Sequence, residues 1–357
     1  MQSWLVDPDR SPAKPEQLMN RPPFLSARPS DDATEDDGTV DDGSIISPVG
    51  TGYAHAKFIL IGEHAVVHAR PAIGIPVHRL LVRADARIVP GLLRLEAGNY
   101  SGPLDSAPRN LDSLGAAIRN ALAHCGHPER GVAVRVTNEI PVGRGLGASA
   151  AVANAIVDSI ASLLGAPLSE DERFAIVQSA ERVAHGNPSG LDARATRESG
   201  PILFENGAVT RLDAAFGGMF VIADTGIRGS TKVAVDDVGA FLREDPERGT
   251  ELLDELEQLT RDAAIDLTSD RHELLGERMS RSHAILTELG AGHRSLDTLV
   301  RAALSAGALG AKLTGGGQGG CIVALVRTSD EAKHLVETLK AVGATNCWIS
   351  TLGGHAA

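Results

Sequence analysis

Cysteine is scarce in this sequence. Three residues, Cys125, Cys321 and Cys347, stand far apart in a chain of 357. No two of them form a Cys-x-x-Cys pair. So sparse and odd a set argues against a disulfide scaffold and is expected of a protein of the reducing cytoplasm. An excess of positive charge is missing as well, since the formal net charge is −12. Nucleic acids and anionic membranes reward clustered Lys and Arg, so neither is an expected partner. A local cationic pocket for a phosphorylated ligand is compatible with that balance, because net charge does not describe one cleft. No stretch reaches the ~20 unbroken apolar residues of a membrane span. The most apolar helix candidate, 148–164, is interrupted by Asn154 and Asp158. The first residues lack a basic region followed by an apolar stretch, so no secretory signal is expected. Nor does G-x-x-x-x-G-K-[ST] occur, which excludes a P-loop enzyme.

What is there suits an ordinary globular protein. The hydrophobic fraction is 43%, and a chain of this length is expected to form two domains. Residues 1–46 differ from the rest. They carry Pro12, Pro15, Pro22, Pro23 and Pro29 and then an acidic run from Asp31 to Asp42. Such composition buries too little apolar surface to offset its ordering entropy, so a disordered acidic tail is expected. Docking of Trp4-Leu5-Val6 or Phe24-Leu25 on the folded body is the alternative. From residue 47 onward the pattern is mixed. Phe58–Ile61 suits a buried strand, and Leu80 to Ile88 and Val132 to Val136 alternate as strands do. Helices are expected over 112–124 and 149–164, and over 169–184 behind a Ser169–Glu172 capping box. Further on, strands are expected at 219–223, 321–326 and 346–352, and helices at 246–268, 273–289 and 331–341. Strands and helices mix without a βαβα rhythm, which predicts an α+β fold. The expected division is 47–204 and 205–357.

Four clusters carry chemistry. Gly143-Arg144-Gly145-Leu146-Gly147-Ala148-Ser149 precedes the apolar helix. Glycines let backbone approach a ligand, and a helix N-terminus favours phosphate. Ser149 in the first turn can reach a metal or a phosphate oxygen. A ligand-free turn is the bland alternative. Gly145-x-Gly147-x-x-Ala150 also fits the dinucleotide fingerprint, but no strand runs straight into it and another helix follows, so that reading fails on context. In the second cluster, Glu181 and Asp192 flank His185-Gly186-Asn187-Pro188-Ser189-Gly190-Leu191. Carboxylates at the two ends of such a loop can serve a metal and a reacting hydroxyl, or cap helices and meet solvent. In the third, Lys57 is the sole charge entering the run Phe58–Ile61, ahead of Glu63-His64. If buried, it must find a carboxylate or an anionic ligand. A lysine marking a strand edge is the alternative. In the fourth, Lys312-Leu313-Thr314-Gly315-Gly316-Gly317-Gln318-Gly319-Gly320 runs into the strand at Cys321 and exposes backbone N–H groups as an anion nest. A linker would not run into so apolar a strand.

Taken in order, these clusters resemble the signatures of the GHMP (galactokinase, homoserine kinase, mevalonate kinase, phosphomevalonate kinase) superfamily over about residues 50–357. The three motifs stand as Lys57 to Glu63, Pro141 to Ala151 and Lys312 to Gly320. Two stretches resemble the mevalonate kinase family in particular: Lys57 to Val67, matching K-x-I-L-x-G-E-H-A-V-V, and His185 to Asp192, matching H-G-x-P-S-G-x-D. The resemblance implies a two-domain kinase fold. Its N-terminal domain binds nucleotide, its C-terminal domain is α/β, and the active site lies between them. It further implies transfer of the ATP γ-phosphoryl to the 5-hydroxyl of mevalonate.

The implied roles follow residue by residue. Asp192 would take or orient the hydroxyl proton, with Lys57 paired to it. Ser149 and Glu181 would hold Mg²⁺. Gly143, Arg144, Gly145, Leu146, Gly147, Ala148 and Ser149 would wrap the ATP phosphates, with Thr231 nearby. Gly315, Gly316 and Gly317 would brace the domains. Glu63 and His64 would face mevalonate, and Arg194 would meet its carboxylate. A homodimer is implied too. Three departures stand out: Ala148 in place of a serine, Gln318 in place of a glycine, and His55-Ala56 in place of Pro-Gly. Phosphomevalonate, homoserine and sugar kinases are the nearest rivals. A non-catalytic sensor would have no need to keep Lys57, Ser149, Glu181 and Asp192 together.

Overall fold

A computed structural model describes residues 48–352. The tail expected over 1–46 lies outside the described residues. The first lobe is a seven-stranded sheet covered by helices. Its spine is two long antiparallel strands, β1 (Val49–Ile61) and β2 (Ala72–Leu92). On the other edge of β2, its second half pairs with β5 (Arg130–Asn138) and its first residues pair with β6 (Ile202–Glu205). Strands β3 (Arg94–Ala97), β4 (Tyr100–Pro103) and β7 (Ala208–Arg211) complete the sheet. The alternation along β2 holds as far as Ala86 and fails at Ile88, which is 48% exposed. Leu80, Val82, Ala84 and Ala86 are buried, and Leu81, Arg83 and Arg87 face out.

Helices α1 (Asp112–His124), α2 (Ala148–Leu164) and α3 (Glu170–His185) pack on the buried face. Gly50 and Gly52 let α2 sit close on β1, since a Cβ on either would come within 2.1 Å of the α2 backbone, and Val152, Ile156, Val157 and Ile160 are buried along the helix. Each large apolar side chain sealed in this way contributes about 1.5–3 kcal/mol. The capping box at Ser169 is present: its hydroxyl accepts from Glu172 N, and Glu172 accepts from Ser169 N at 2.8 Å. No strand separates α2 from α3, which removes the dinucleotide topology.

The second lobe is a four-stranded antiparallel sheet in the order β11-β8-β10-β9. Its strands are β8 (Met219–Asp224), β9 (Gly310–Thr314), β10 (Cys321–Val326) and β11 (Asn346–Thr351). Around them lie α5 (Thr231–Glu244), α6 (Pro246–Thr268), α7 (His272–Glu288), α8 (Arg294–Ser305) and α9 (Ser329–Ala341). A separate apolar core, built on Val221, Leu256, Leu286, Leu299 and Leu335, holds it together. The boundary expected between residues 204 and 205 falls inside β6. The chain leaves the first sheet only after Arg211, because β6 and β7 form a hairpin attached to β2. Among the described residues no helix is long and apolar enough to cross a membrane, and all three cysteines are free.

Candidate active site

The two lobes meet around a cavity of ≈ 320 Å³. Lys57, in the second half of β1, is 1% exposed. Its burial demands a counter-charge, and Asp192 supplies it: Nζ lies 2.8 Å from Oδ1. Nζ also donates to the Gly145 carbonyl at 3.2 Å. Asp192 opens the short helix α4 (Leu191–Ala195) after Gly190, whose φ of 95° turns the chain sharply. That helix is tethered on two sides. Asn154 of α2 donates to Ala193 O and to Thr196 Oγ1, both at 3.0 Å, and His55 N of β1 donates to Thr196 O. The Asp192 side chain is 38% exposed, so one end of the ion pair is sealed and the other opens to the cavity.

Opposite stands the glycine loop. Gly147 caps α2 in the left-handed region, and Ser149 lies in the first turn. Ser149 Oγ donates to Glu181 Oε1 at 2.5 Å, and Glu181 Oε2 is 3.7 Å from His185 Nε2. Glu181 is 4% exposed. Burial pushes its carboxyl above the usual range. His185, the Ser149 hydroxyl and Lys57 pull it back, while the nearby Asp192 charge raises it further. A buried carboxylate and a hydroxyl are two hard oxygen donors at the N-terminus of α2. That donor set fits magnesium, which takes one or two protein oxygens and completes its shell with phosphates and waters. No cluster of three or more His, Cys, Asp or Glu side chains among the described residues forms an all-protein cage.

The second lobe closes the site by backbone contact. A Cβ on Gly145 would come within 2.7 Å of Thr314 O, and one on Gly315 within 2.6 Å of Gly145 Cα. The two glycine loops therefore touch with no room for side chains. Thr314 locks the join: Ile59 N donates to its hydroxyl at 2.9 Å, and the hydroxyl lies 3.2 Å from Ile59 O. Gly315, Gly316 and Thr231 line the cavity; Gly317 packs instead against Ala291. Gln318 donates to Asp237 at 2.8 Å, outside the site, and Ala148 is buried at the start of α2.

Three expected site residues are used differently. Glu63 contributes to the cavity wall, but its carboxylate is 1% exposed and ion-paired to the fully buried Lys312. Burial pushes the Glu63 carboxyl up and the Lys312 ammonium down, and each charge pulls the other back toward ionisation. Arg194 does not reach the cavity. It donates to Asp171 Oδ1 at 2.9 Å and Glu170 O at 3.2 Å and lies 4.2 Å over the Phe174 ring. Two residues after Asp192 in a helix, at ~100° per residue, its side chain leaves on nearly the opposite side. Arg144 turns its guanidinium away from the cavity to Asp224 of β8, at 2.8 Å.

His64 does line the cavity. Its Nε2 is 3.1 Å from Gly316 O, so the ring donates there and leaves Nδ1 as a buried acceptor with no protein partner. Burial holds its pKa down. Gln178, Ser189, Lys232 and Asp236 also line the cavity and were missed in sequence. Gln178, three residues before Glu181 on one helix, shares its face, and this spacing was the available signal.

A glycine loop leading into the α2 N-terminus on one wall and a carboxylate open to the cavity on the other suit a small-molecule kinase. The family model for the GHMP kinases N terminal domain matches residues 113–197, and that for the GHMP kinases C terminal region matches 263–345. Mevalonate kinase of Pyrococcus furiosus is 33% identical over 314 residues, covering 82% of this chain and 93% of that protein. The enzyme of Thermococcus gammatolerans is 35% identical over 295 residues, 76% of this chain and 87% of its own. The crystal structure of L. major mevalonate kinase in complex with R-mevalonate matches with a TM-score of 0.74 at 28% identity, covering 87% of this chain and 98% of that one. The chain belongs to the mevalonate kinase family, GHMP kinases that use ATP to phosphorylate a hydroxyl group.

Proposed function

We propose that the chain transfers the γ-phosphoryl of ATP to the 5-hydroxyl of (R)-mevalonate. The observation that carries this is the Lys57–Asp192 pair, buried at its lysine end and open to the cavity at its aspartate end. Phosphoryl transfer has a loose transition state, so a protein mainly positions the reactants and neutralises charge. The Gly143–Ser149 backbone offers N–H groups to the phosphates at the α2 N-terminus. Ser149 and Glu181 are the residues that would hold Mg²⁺, which when bound neutralises charge on the β- and γ-phosphate oxygens. Asp192 accepts a hydrogen bond from the acceptor hydroxyl, orients it in line and takes its proton late. Lys57 keeps Asp192 fixed and donates to Gly145, tying the hydroxyl-directed group to the phosphate loop. His64, with its unpartnered Nδ1, accepts from a second polar group of the substrate.

Release of ADP in the presence of mevalonate, phosphomevalonate, homoserine and galactose tests the reading. Turnover far greater with mevalonate is expected. A preference for homoserine or galactose would overturn the substrate while leaving the kinase class intact.

A further inference from the structure

Two arginines flank the phosphate loop, and they are not equivalent. Arg144, inside the loop, has a guanidinium already committed. Its Nε lies 2.8 Å from Asp224 Oδ1, and its Nη2 donates to Gly226 O at 2.9 Å. Its Nη1 is sealed from solvent without a partner. The Arg144 and Asp224 side chains are 17% and 4% exposed, so the pair is closed to an incoming ligand. Arg228 belongs to the second lobe, in the segment joining β8 to α5. Gly229 N donates to Gly143 O at 3.0 Å, which pins this segment onto the loop. The Arg228 side chain then lies directly over Gly143: a Cβ there would come within 2.6 Å of its Cγ and 2.8 Å of its Nε. Arg228 is exposed, and among the described residues its guanidinium forms no ion pair or hydrogen bond.

We infer that Arg228, and not Arg144, is the arginine that binds the nucleotide polyphosphate, and that Arg144 is a positioning residue that bolts the loop to β8. The inference rests on the reading of Gly143–Ser149 as the ATP phosphate loop. An unpaired guanidinium held against that loop presents a planar fork of donors suited to phosphate oxygens. Arg144 cannot do this without abandoning a buried aspartate, and stripping a buried charge of its partner is strongly unfavourable. Gly143 has a φ of 72°, which favours glycine, and a Cβ there would also crowd the Arg228 side chain.

The test is titration calorimetry of the full chain with MgATP, MgADP and AMP, for wild type, R228A, R228K, R144A, D224A and the two double variants with D224A. R228A weakens MgATP and MgADP about tenfold, as for a lost charge-assisted hydrogen bond, and AMP by less than twofold. It also flattens the salt dependence of ATP binding and leaves the melting temperature and the KM for mevalonate unchanged. R228K recovers part of the loss. R144A and D224A share one defect, a lower kcat and melting temperature, and R144A/D224A is no worse than either single variant. R228A/D224A shows the two losses added. Wild-type affinity for MgATP in R228A would overturn the inference alone. So would a selective ATP defect in R144A that adds to that of D224A. Absence of ATP binding by the wild-type chain would sink the phosphate-loop reading, and the inference with it.

Discussion

Two lysine–carboxylate pairs stand at the junction of the lobes, and they do opposite things. Lys57–Asp192 is sealed at the lysine and open at the carboxylate, with side-chain exposures of 2% and 38%. Lys312–Glu63 is sealed at both ends, with exposures of 0% and 1%. The open pair holds a carboxylate rigidly while leaving an oxygen for a substrate. The closed pair has no end open to solvent, although Glu63 Oε2 is left buried without a hydrogen-bond partner. Its lysine spends a further hydrogen bond on Leu313 O at 2.6 Å, and it joins the lobes across 249 residues of chain. A lysine and an acid near a cleft are therefore not a catalytic signature by themselves. What separates chemistry from architecture is which partner the solvent can reach.

Removing half of the closed pair gives the largest expected effect on stability. Lys312→Met leaves the Glu63 carboxylate buried and unpaired, and destabilisation of about 3–5 kcal/mol is expected. Denaturant unfolding measures it. The double variant E63L/K312M, which removes both charges, recovers most of that loss. A single variant as stable as wild type would mean that the pair is not sealed.

The same contrast recurs in two imidazoles, His55 and His78, whose rings meet edge to face at 4.4 Å. His55 is buried and His78 exposed. Burial, opposed by the bond to Ala56 O, lowers the His55 pKa from 6.5 to about 4. The folded state thus prefers neutral His55, while the unfolded chain protonates it below pH 6.5. This contribution is complete above pH 6.5 and is lost as pH falls through about 4, amounting to about 3 kcal/mol. Stability measured against pH should fall less steeply across that window in His55→Asn than in wild type. Parallel curves would contradict the burial argument.

The smallest effect sharpens the contrast from the other side. Arg194 is two residues from Asp192 but is held by Asp171, whose side chain is 94% exposed, and by Phe174. Arg194→Ala should cost under about 1 kcal/mol and leave the KM for mevalonate within twofold. A tenfold rise in that KM would restore Arg194 as a substrate ligand.

How much of this was legible depended on where each partner lies in the chain. Lys57 could be picked out because one charge enters an apolar run, and burial then required a counter-ion. The capping box at Ser169, helix α6 and strand β10 follow from local pattern alone and are found at their expected places. Lys312 heads a glycine-rich run that drew the reading toward backbone. Its partner is remote, and no periodicity announces a buried lysine on the five-residue strand β9. Neither helix α5 nor helix α8 was expected: α8 begins behind His293, whose ring accepts from Ser295 N at 3.2 Å, where Ser, Thr, Asp or Asn is the usual signal, but α5 begins behind Ser230, so the cap alone does not decide it. The lobe boundary was misjudged because β6 and β7 return to the first sheet through pairing with β2, a long-range register that composition does not carry. Arg144 reads as a phosphate ligand in sequence and is turned away by Asp224, eighty positions on.

The claim at the centre of this account is that the open carboxylate acts on the substrate hydroxyl. The most direct measurement is steady-state turnover of Asp192→Asn at saturating MgATP and mevalonate, with MgATP affinity and melting temperature determined on the same preparation. Asn keeps the shape of the side chain but cannot accept a proton. The expected result is a kcat lower by roughly 10²–10⁴ with MgATP affinity close to that of the wild type, and a lower melting temperature because the buried Lys57 loses its counter-charge. A variant that kept nearly full kcat would contradict it, and Asp192 would then join Glu63 as a structural partner of a buried lysine.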